Sequence, residues 1–150
     1  MLRIEIVKQA DGAGLLRCTR RDGSMTWQKQ TKHGAYFALH DLTHYAVEAV
    51  LRYRHGFFGL IAAGWDVEDT TGKGSRGTLP PEAVEVEQIV GLFQTEQASG
   101  TLWTAEQFNE YAPRRLTDAE IQNVRAVRAG VFQKWFATGI GQKLELEFEE

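Results

Sequence analysis

The stretch Leu2-Arg3-Ile4-Glu5-Ile6 alternates apolar and charged residues along its whole length. Successive side chains of a β-strand point to opposite faces, so this period of two predicts a strand with one buried side and one side facing solvent. Residues 144–148 (LELEF) show the same alternation. We therefore expect the two stretches to join one antiparallel sheet, in which opposite charges on neighbouring strands help to set the pairing.

A hairpin is predicted directly after the first strand. Gly12 and Gly14 indicate a turn, residues 15–20 form the next extended run, and Asp22-Gly23 separates that run from residues 25–29. Asp-Gly between two extended runs is typical of a tight β-hairpin. The start of the chain is therefore predicted to be an antiparallel meander, and the last strand brings the sheet to about four strands.

The middle of the chain has the patterns of helices. Apolar residues three and four positions apart, proline at a helix start, and Thr followed three residues later by Gln or Glu all favour helices. The apolar segment 57–66 contains glycines and predicts a tightly packed connection or a short helix, and the polar segment 69–78 predicts a mobile surface loop. Four further helices are predicted. They are residues 39–53, which Gly56 stops, a helix opened by Pro80 and Pro81, a short helix after Thr104, and residues 118–137.

These elements predict an α+β fold. We expect a small antiparallel sheet of about four strands, from the N-terminal meander and the C-terminal strand, packed against a layer of four or five helices. The chain has 150 residues, of which 43% are hydrophobic and 25% charged. This length and composition are typical of a globular protein, so we expect residues 1–150 to form a single α+β domain.

Charge and cysteine content restrict the classes of partner and compartment. The net charge of −3 makes a dedicated nucleic-acid binder unlikely. Cys18 is the single cysteine, which fits a reducing, cytoplasmic location. No apolar run is long enough to predict a membrane span. The sequence leaves open whether the protein forms a homo-oligomer, and it indicates no other partner.

Residues 40–48 (HDLTHYAVE) contain the strongest candidate for a functional site. His40, His44 and Glu48 recur every four residues, so a helix places them on one stripe beside its main apolar face. Two histidines one turn apart can direct their rings at the same divalent ion, and neutral imidazole is a common zinc ligand. We therefore predict that His40 and His44 bind a divalent metal, most readily zinc.

A third ligand has to come from elsewhere in the chain. Glu48 lies eight residues beyond His40, about 12 Å along the axis at ~1.5 Å per residue, so a straight helix cannot bring both to one ion. Glu48 is better interpreted as a partner that holds His44, or as a ligand in a different pair with it. The candidates for the third ligand are His33, which we place first, Asp66, Glu68, Glu85 and Glu106.

Part of the same segment, with its two histidines four residues apart, resembles a motif of a known family. Residues 40–44 resemble the H-E-x-x-H helix of zinc peptidases, with Asp41 at the position where that motif has its general-base Glu. The resemblance covers these five residues and implies a metal-dependent hydrolase in which Asp41 or Glu48 accepts a proton from metal-bound water. Asp is one methylene shorter than Glu, so Asp41 would reach such a water less easily.

Two other functions compete with metal binding. In the first, the protein is a non-catalytic interaction or oligomerisation module, and His40, His44 and Glu48 are a structural polar cluster. The aromatic residues suspected at its surface are Phe57, Phe58, Trp65 and Trp103. In the second, which has the least support because of the acidic net charge, the basic hairpin binds nucleic acid through its phosphates. Its residues are Arg17, Arg20, Arg21, Trp27, Lys29 and Lys32.

Overall fold

A computed structural model describes residues 1–31 and 33–150 of the chain. Within these residues it contains a four-stranded antiparallel sheet, five α-helices and one short 3₁₀ helix, which confirms the predicted α+β fold. The strands are β1 (Leu2–Lys8), β2 (Gly14–Thr19), β3 (Met25–Lys29) and β4 (Lys143–Phe148). The helices are α1 (Tyr36–Leu51), α2 (Phe57–Ala62), the 3₁₀ helix (Val67–Thr71), α3 (Pro81–Ser99), α4 (Ala105–Tyr111) and α5 (Asp118–Ala137).

The sheet joins the two ends of the chain as predicted. Its strand order is β3-β2-β1-β4, and every neighbouring pair is antiparallel. Ile4 pairs with Leu146 between β1 and β4, and both side chains are buried on the inner face. The turn between β2 and β3 has Gly23 at φ 87°, a conformation that glycine adopts without steric cost. The Asp-Gly hairpin prediction is therefore confirmed.

The outer face of the sheet uses its basic residues to hold the structure together. Glu5 on β1 is only 5% exposed and lies 2.8 Å from the Arg17 guanidinium and 2.9 Å from Nζ of Lys143. Hydrogen bonds from Arg17 and then Lys143 lower the pKa of Glu5. Away from that face, Arg20, the residue after β2, donates to the carbonyl oxygens of Ile61 in α2 and of Trp65 beyond it, and so holds the end of β2 near α2. Lys32, the last residue of the suspected phosphate-binding set, lies outside the described residues.

Helix α1 connects the two parts of the hydrophobic core. Leu42 packs in a cluster with the inner face of the sheet, whereas Val47, further along the helix, packs in a second cluster with α3. Trp135 of α5 is 1% exposed, in keeping with the prediction that residues 118–137 form a core helix. Among the described residues, each helix is too short or too polar to cross a lipid bilayer.

Local sequence determines several helix ends. The side chain of Thr104 accepts the N–H of Gln107, and Thr117 accepts the N–H of Glu120, so both predicted capping boxes are present. The 3₁₀ helix includes the first residues of segment 69–78, which was predicted to be a mobile loop. Gly74 in the same segment packs against the backbone of Asp69.

Helix α1 ends earlier than the sequence predicts. Its last residue is Leu51, and Arg52 follows in the left-handed region at φ 60°. The N–H groups of Arg52 and Tyr53 both donate to the carbonyl oxygen of Glu48, which closes the last turn. Gly56 is therefore free for another role and forms the N-cap of α2.

Candidate metal centre

The candidate site lies between α1 and α3. These helices pack along each other, and α1 directs His44 and Glu48 inward, with exposed fractions of 1% and 0%. His40, one turn earlier on α1, is only partly buried. The four-residue spacing of His40, His44 and Glu48 therefore produces a line of polar side chains that runs from the surface into the interior.

Glu48 is bound at both of its carboxylate oxygens. Nδ1 of His44 donates to Oε2 over 3.1 Å, and the N–H groups of Phe58 and Gly59 donate to Oε1 over 3.0 and 3.2 Å. These two N–H groups belong to the first turn of α2, which has no hydrogen bond from a side chain of its own N-cap. Glu48 thus caps α2 from a different helix and fixes the orientation of the His44 ring.

Glu87, on α3, lies on the other side of His44. Its Oε1 is 2.9 Å from Nε2 of His44, close enough for an ion pair with the protonated ring. Nε2 of His44 and Nδ1 of His40 are both buried, and Nδ1 of His40 has no hydrogen-bond partner among the described residues. His40, His44 and Glu87 each offer one ligand atom, and the three atoms lie within 4.8 Å of one another.

The two imidazole rings differ in their affinity for protons. Burial alone would lower the pKa of His44, but Glu48 and then Glu87 outweigh it and raise the pKa to about 10. Burial lowers the pKa of His40, and the neighbouring charge of His44 acts in the same direction, while Glu87 and Gln94 oppose it only in part. At neutral pH His40 is therefore neutral with a lone pair to share, and His44 holds a proton that a metal ion must displace.

Aromatic rings line the outer end of the site. The His40 ring stacks on Tyr36 at a centroid distance of 6.1 Å and meets the His44 ring edge-on at 4.8 Å. On the inner side, Phe57 of α2 contacts His44 at 5.4 Å. These contacts restrict the rotation of both imidazoles.

Asp41, the predicted counterpart of the peptidase general base, is 5% exposed and accepts a hydrogen bond from Nε2 of Gln30 over 2.6 Å. Burial raises the pKa of Asp41 to about 7. Asp41 is therefore a buried carboxyl group that already accepts a hydrogen bond from Gln30, the residue after β3.

The other third-ligand candidates lie apart from the group that His40 and His44 form with Glu87. The His33 ring is at the surface, 5.9 Å from the Phe37 ring and 6.4 Å from the Tyr36 ring. The remaining candidates either have other partners or are exposed. Asp66 pairs with Arg20, Glu85 accepts the Tyr53 hydroxyl, and Glu68 and Glu106 face solvent.

Sequence reasoning missed Glu87. The core face of α3 contains Val86 and Val90, and Glu87 borders it together with Gly91 and Gln94, which are four and seven residues further along. The pattern that could have indicated Glu87 is the stripe Glu87, Gly91 and Gln94, which runs along the edge of the apolar face of α3. The sequence alone does not say which edge of that face meets α1.

The aromatic residues suspected at an interaction surface are not the exposed ones. Phe58 is 1% exposed, and Phe57, Trp65 and Trp103 are partly buried. The most exposed large apolar side chains, each at least 64% exposed, are Trp27, Leu102, Tyr111, Phe136 and Ile140.

Comparisons of the chain with protein-family models, with curated proteins and with solved structures found no match.

Proposed function

We propose that this protein binds a divalent transition-metal ion, zinc in the first place, through His40, His44 and Glu87. The observation that carries the proposal is that each of the three side chains brings one ligand atom within 4.8 Å of the other two, while Nδ1 of His40 is buried without a hydrogen-bond partner among the described residues. Buried polar atoms are nearly always paired, so the unpaired ring nitrogen of His40 beside a histidine and a carboxylate indicates a missing partner. A metal ion held by the three side chains would supply that partner.

The distances are compatible with a zinc ion after small side-chain rotations. Zinc bonds of ~2.0–2.1 Å in a tetrahedron place ligand atoms roughly 3.3 Å apart. The His44–Glu87 contact is 2.9 Å, and all three ligand atoms lie within 4.8 Å of one another. The Glu87 side chain is 48% exposed, so it can move without disturbing the core.

Glu48 supports this proposal as a positioning residue. Metal-bound histidines commonly donate their other ring N–H to a carboxylate, which fixes the tautomer and the ring orientation. The Nδ1 contact of His44 with Glu48 leaves Nε2 facing Glu87 and available to a metal. The N-terminus of α2 holds the Glu48 carboxylate in place.

Metal-dependent hydrolysis is a narrower proposal, with less support. Three protein ligands leave a fourth tetrahedral position for water, and zinc would lower the pKa of that water. Both oxygens of Glu48 already accept hydrogen bonds, so Glu48 is poorly placed to take a proton. Asp41 keeps its proposed role of proton acceptor only if it leaves Gln30.

The competing proposal is a cytoplasmic interaction or oligomerisation module without a metal. His44 between two carboxylates is then a structural ion cluster, and its high pKa favours this arrangement. In that case a partner or a second copy would cover exposed apolar side chains such as Trp27 and Phe136. The metal proposal predicts that added zinc binds and stabilises the folded protein, whereas the competing proposal predicts that it does not bind.

The experiment that separates them is a zinc titration followed by calorimetry and thermal unfolding. At a free zinc concentration of 100 times Kd, binding stabilises the folded state by about 2.7 kcal/mol. We expect one equivalent to bind to the parent, and much weaker binding to His40→Ala and Glu87→Gln. His55→Ala is the matched control, because His55 is exposed and lies beside Glu82, away from the site.

Equal zinc binding by the parent, His40→Ala and Glu87→Gln would place the metal elsewhere. No binding to the parent would favour the structural cluster. Sedimentation velocity over a range of protein concentrations would then test the oligomer directly.

A further inference from the structure

A second polar cluster lies near the carboxyl end of α3, nine residues beyond Glu87. Glu96 is 2% exposed and accepts hydrogen bonds from the Trp103 N–H over 2.9 Å and from the Arg125 guanidinium. Arg125 also donates to the carbonyl oxygen of Trp103 over 2.7 Å. Glu96 and Arg125 thus satisfy each other.

Arg128 adds a second positive charge that this pair does not neutralise. It is 9% exposed, donates to the carbonyl oxygen of Phe93 over 3.0 Å, and lies 5.7 Å from the centre of the Phe93 ring. Within the described part of the chain, Glu96 is the only carboxylate within 4 Å of Arg128, at 3.7 Å. Two largely buried guanidinium groups therefore share one carboxylate, and buried charges are costly unless they are paired.

The pKa of Arg128 is consistent with this excess charge. Burial lowers it, and Glu96 only partly opposes the effect. The carboxyl end of α3, equivalent to about half a negative charge, also lies here at Gly100 and offsets part of the excess. A net positive charge remains in a largely apolar environment.

The two arginines and Glu96 line a solvent-open cavity of about 370 Å³ together with apolar side chains and the polar Gln97 and Thr101. Ala129 and Phe132 come from α5, and Leu102, which is 76% exposed, lies in the loop after α3. The volume is within the range of ~300–1,000 Å³ of small-molecule sites, which combine apolar walls with a few polar groups. The cavity therefore offers two guanidinium groups, the single carboxylate of Glu96 that they share, and an apolar wall.

We propose that this cavity binds a small organic carboxylate with an apolar body. Its carboxylate pairs with Arg128 through the charge-assisted hydrogen bonds that guanidinium and carboxylate groups form well. Its apolar body packs against Leu102 and Phe132. This proposal is independent of the metal centre, because it uses none of the same side chains.

Calorimetric titration with octanoate, octanol and acetate tests it. Octanoate carries both the charge and the apolar body, whereas octanol lacks the charge and acetate lacks the body. We expect octanoate to bind at least about tenfold more tightly than either of the others, a difference of ~1.4 kcal/mol. Arg128→Gln should weaken octanoate binding by at least about tenfold, and Arg76→Gln, which removes a half-exposed guanidinium elsewhere, should not change it.

A second variant keeps the proposal testable if Arg128→Gln does not fold. Leu102→Glu places a negative charge at the exposed rim without touching the buried cluster, and it should also weaken octanoate binding. The proposal is overturned if octanoate does not bind, if octanol binds equally well, or if octanoate binds Leu102→Glu as tightly as the parent.

Discussion

His44 and Glu48 form a buried pair within one turn of α1, with Nδ1 of His44 donating to Oε2 of Glu48 over 3.1 Å. The other oxygen of Glu48 accepts the first N–H groups of α2. The orientation of one imidazole therefore depends on the position of a neighbouring helix. This coupling makes the proposed metal centre sensitive to substitutions that do not touch a ligand.

Replacement Glu48→Gln should destabilise the protein and weaken zinc binding. Loss of one partner of a buried ion pair typically costs about 3 kcal/mol, and loss of a carboxylate behind a metal-bound histidine weakens metal affinity by about 10–100-fold. Urea unfolding and calorimetry measure the two effects. The exposed Glu106→Gln should change the free energy of unfolding by less than about 0.5 kcal/mol. A Glu48→Gln variant as stable as the parent would contradict the structural role.

Two glycine-to-alanine replacements should have opposite effects on stability. A Cβ at Gly56 would lie 2.5 Å from Cδ of the buried Glu48, so Gly56→Ala should destabilise by about 1–3 kcal/mol through overpacking. A Cβ at Gly91, in the middle of α3, meets no atom within 4 Å. Gly91→Ala should therefore stabilise by about 0.5–1 kcal/mol through helix propensity. Chemical denaturation of both variants checks this, and a stable Gly56→Ala would contradict the described packing around Glu48.

The Cys18 thiol should be unreactive while the protein is folded. Burial, with a smaller contribution from Asp41, raises the pKa of Cys18 from 9.0 to about 12. The folded state thus holds this proton more tightly than the unfolded state, so this contribution to stability is present below about pH 9 and is lost as the pH rises toward 12.

A disulfide reagent at pH 8 measures this protection. We expect Cys18 to react at least about a hundredfold more slowly in the native protein than in the urea-unfolded chain. Equal rates would show that β2 opens freely, in conflict with its fully buried thiol.

The sequence predicts those parts of the fold that local chemistry determines. The alternation in Leu2–Lys8 and Lys143–Phe148, the Asp22-Gly23 turn and the two capping boxes each lie within a few residues of the structure that they specify. The early end of α1 at Leu51 was missed, because a left-handed Arg52 has no such local pattern.

The candidate site is predictable only in part, since it combines two helices. His40 and His44 share one face of α1 through the helical period alone. Glu87 joins them because of how α3 is rotated against α1, and this depends on the packing of Val86 and Val90 in the core. The capping of α2 by Glu48 is likewise a tertiary contact. Gly56, the N-cap of α2, has no side chain, and this absence indicates that a cap must come from another part of the protein.

Elemental analysis of untagged protein, purified without chelator, tests the proposed metal centre most directly. The parent should contain about one equivalent of zinc or a similar divalent metal, His55→Ala should keep it, and the double variant His40→Ala/His44→Ala should contain none. Circular dichroism of the double variant checks that it remains folded. A parent that is free of metal and also fails to take up added zinc would contradict the account, and the same metal content in a folded double variant would contradict the assigned ligands.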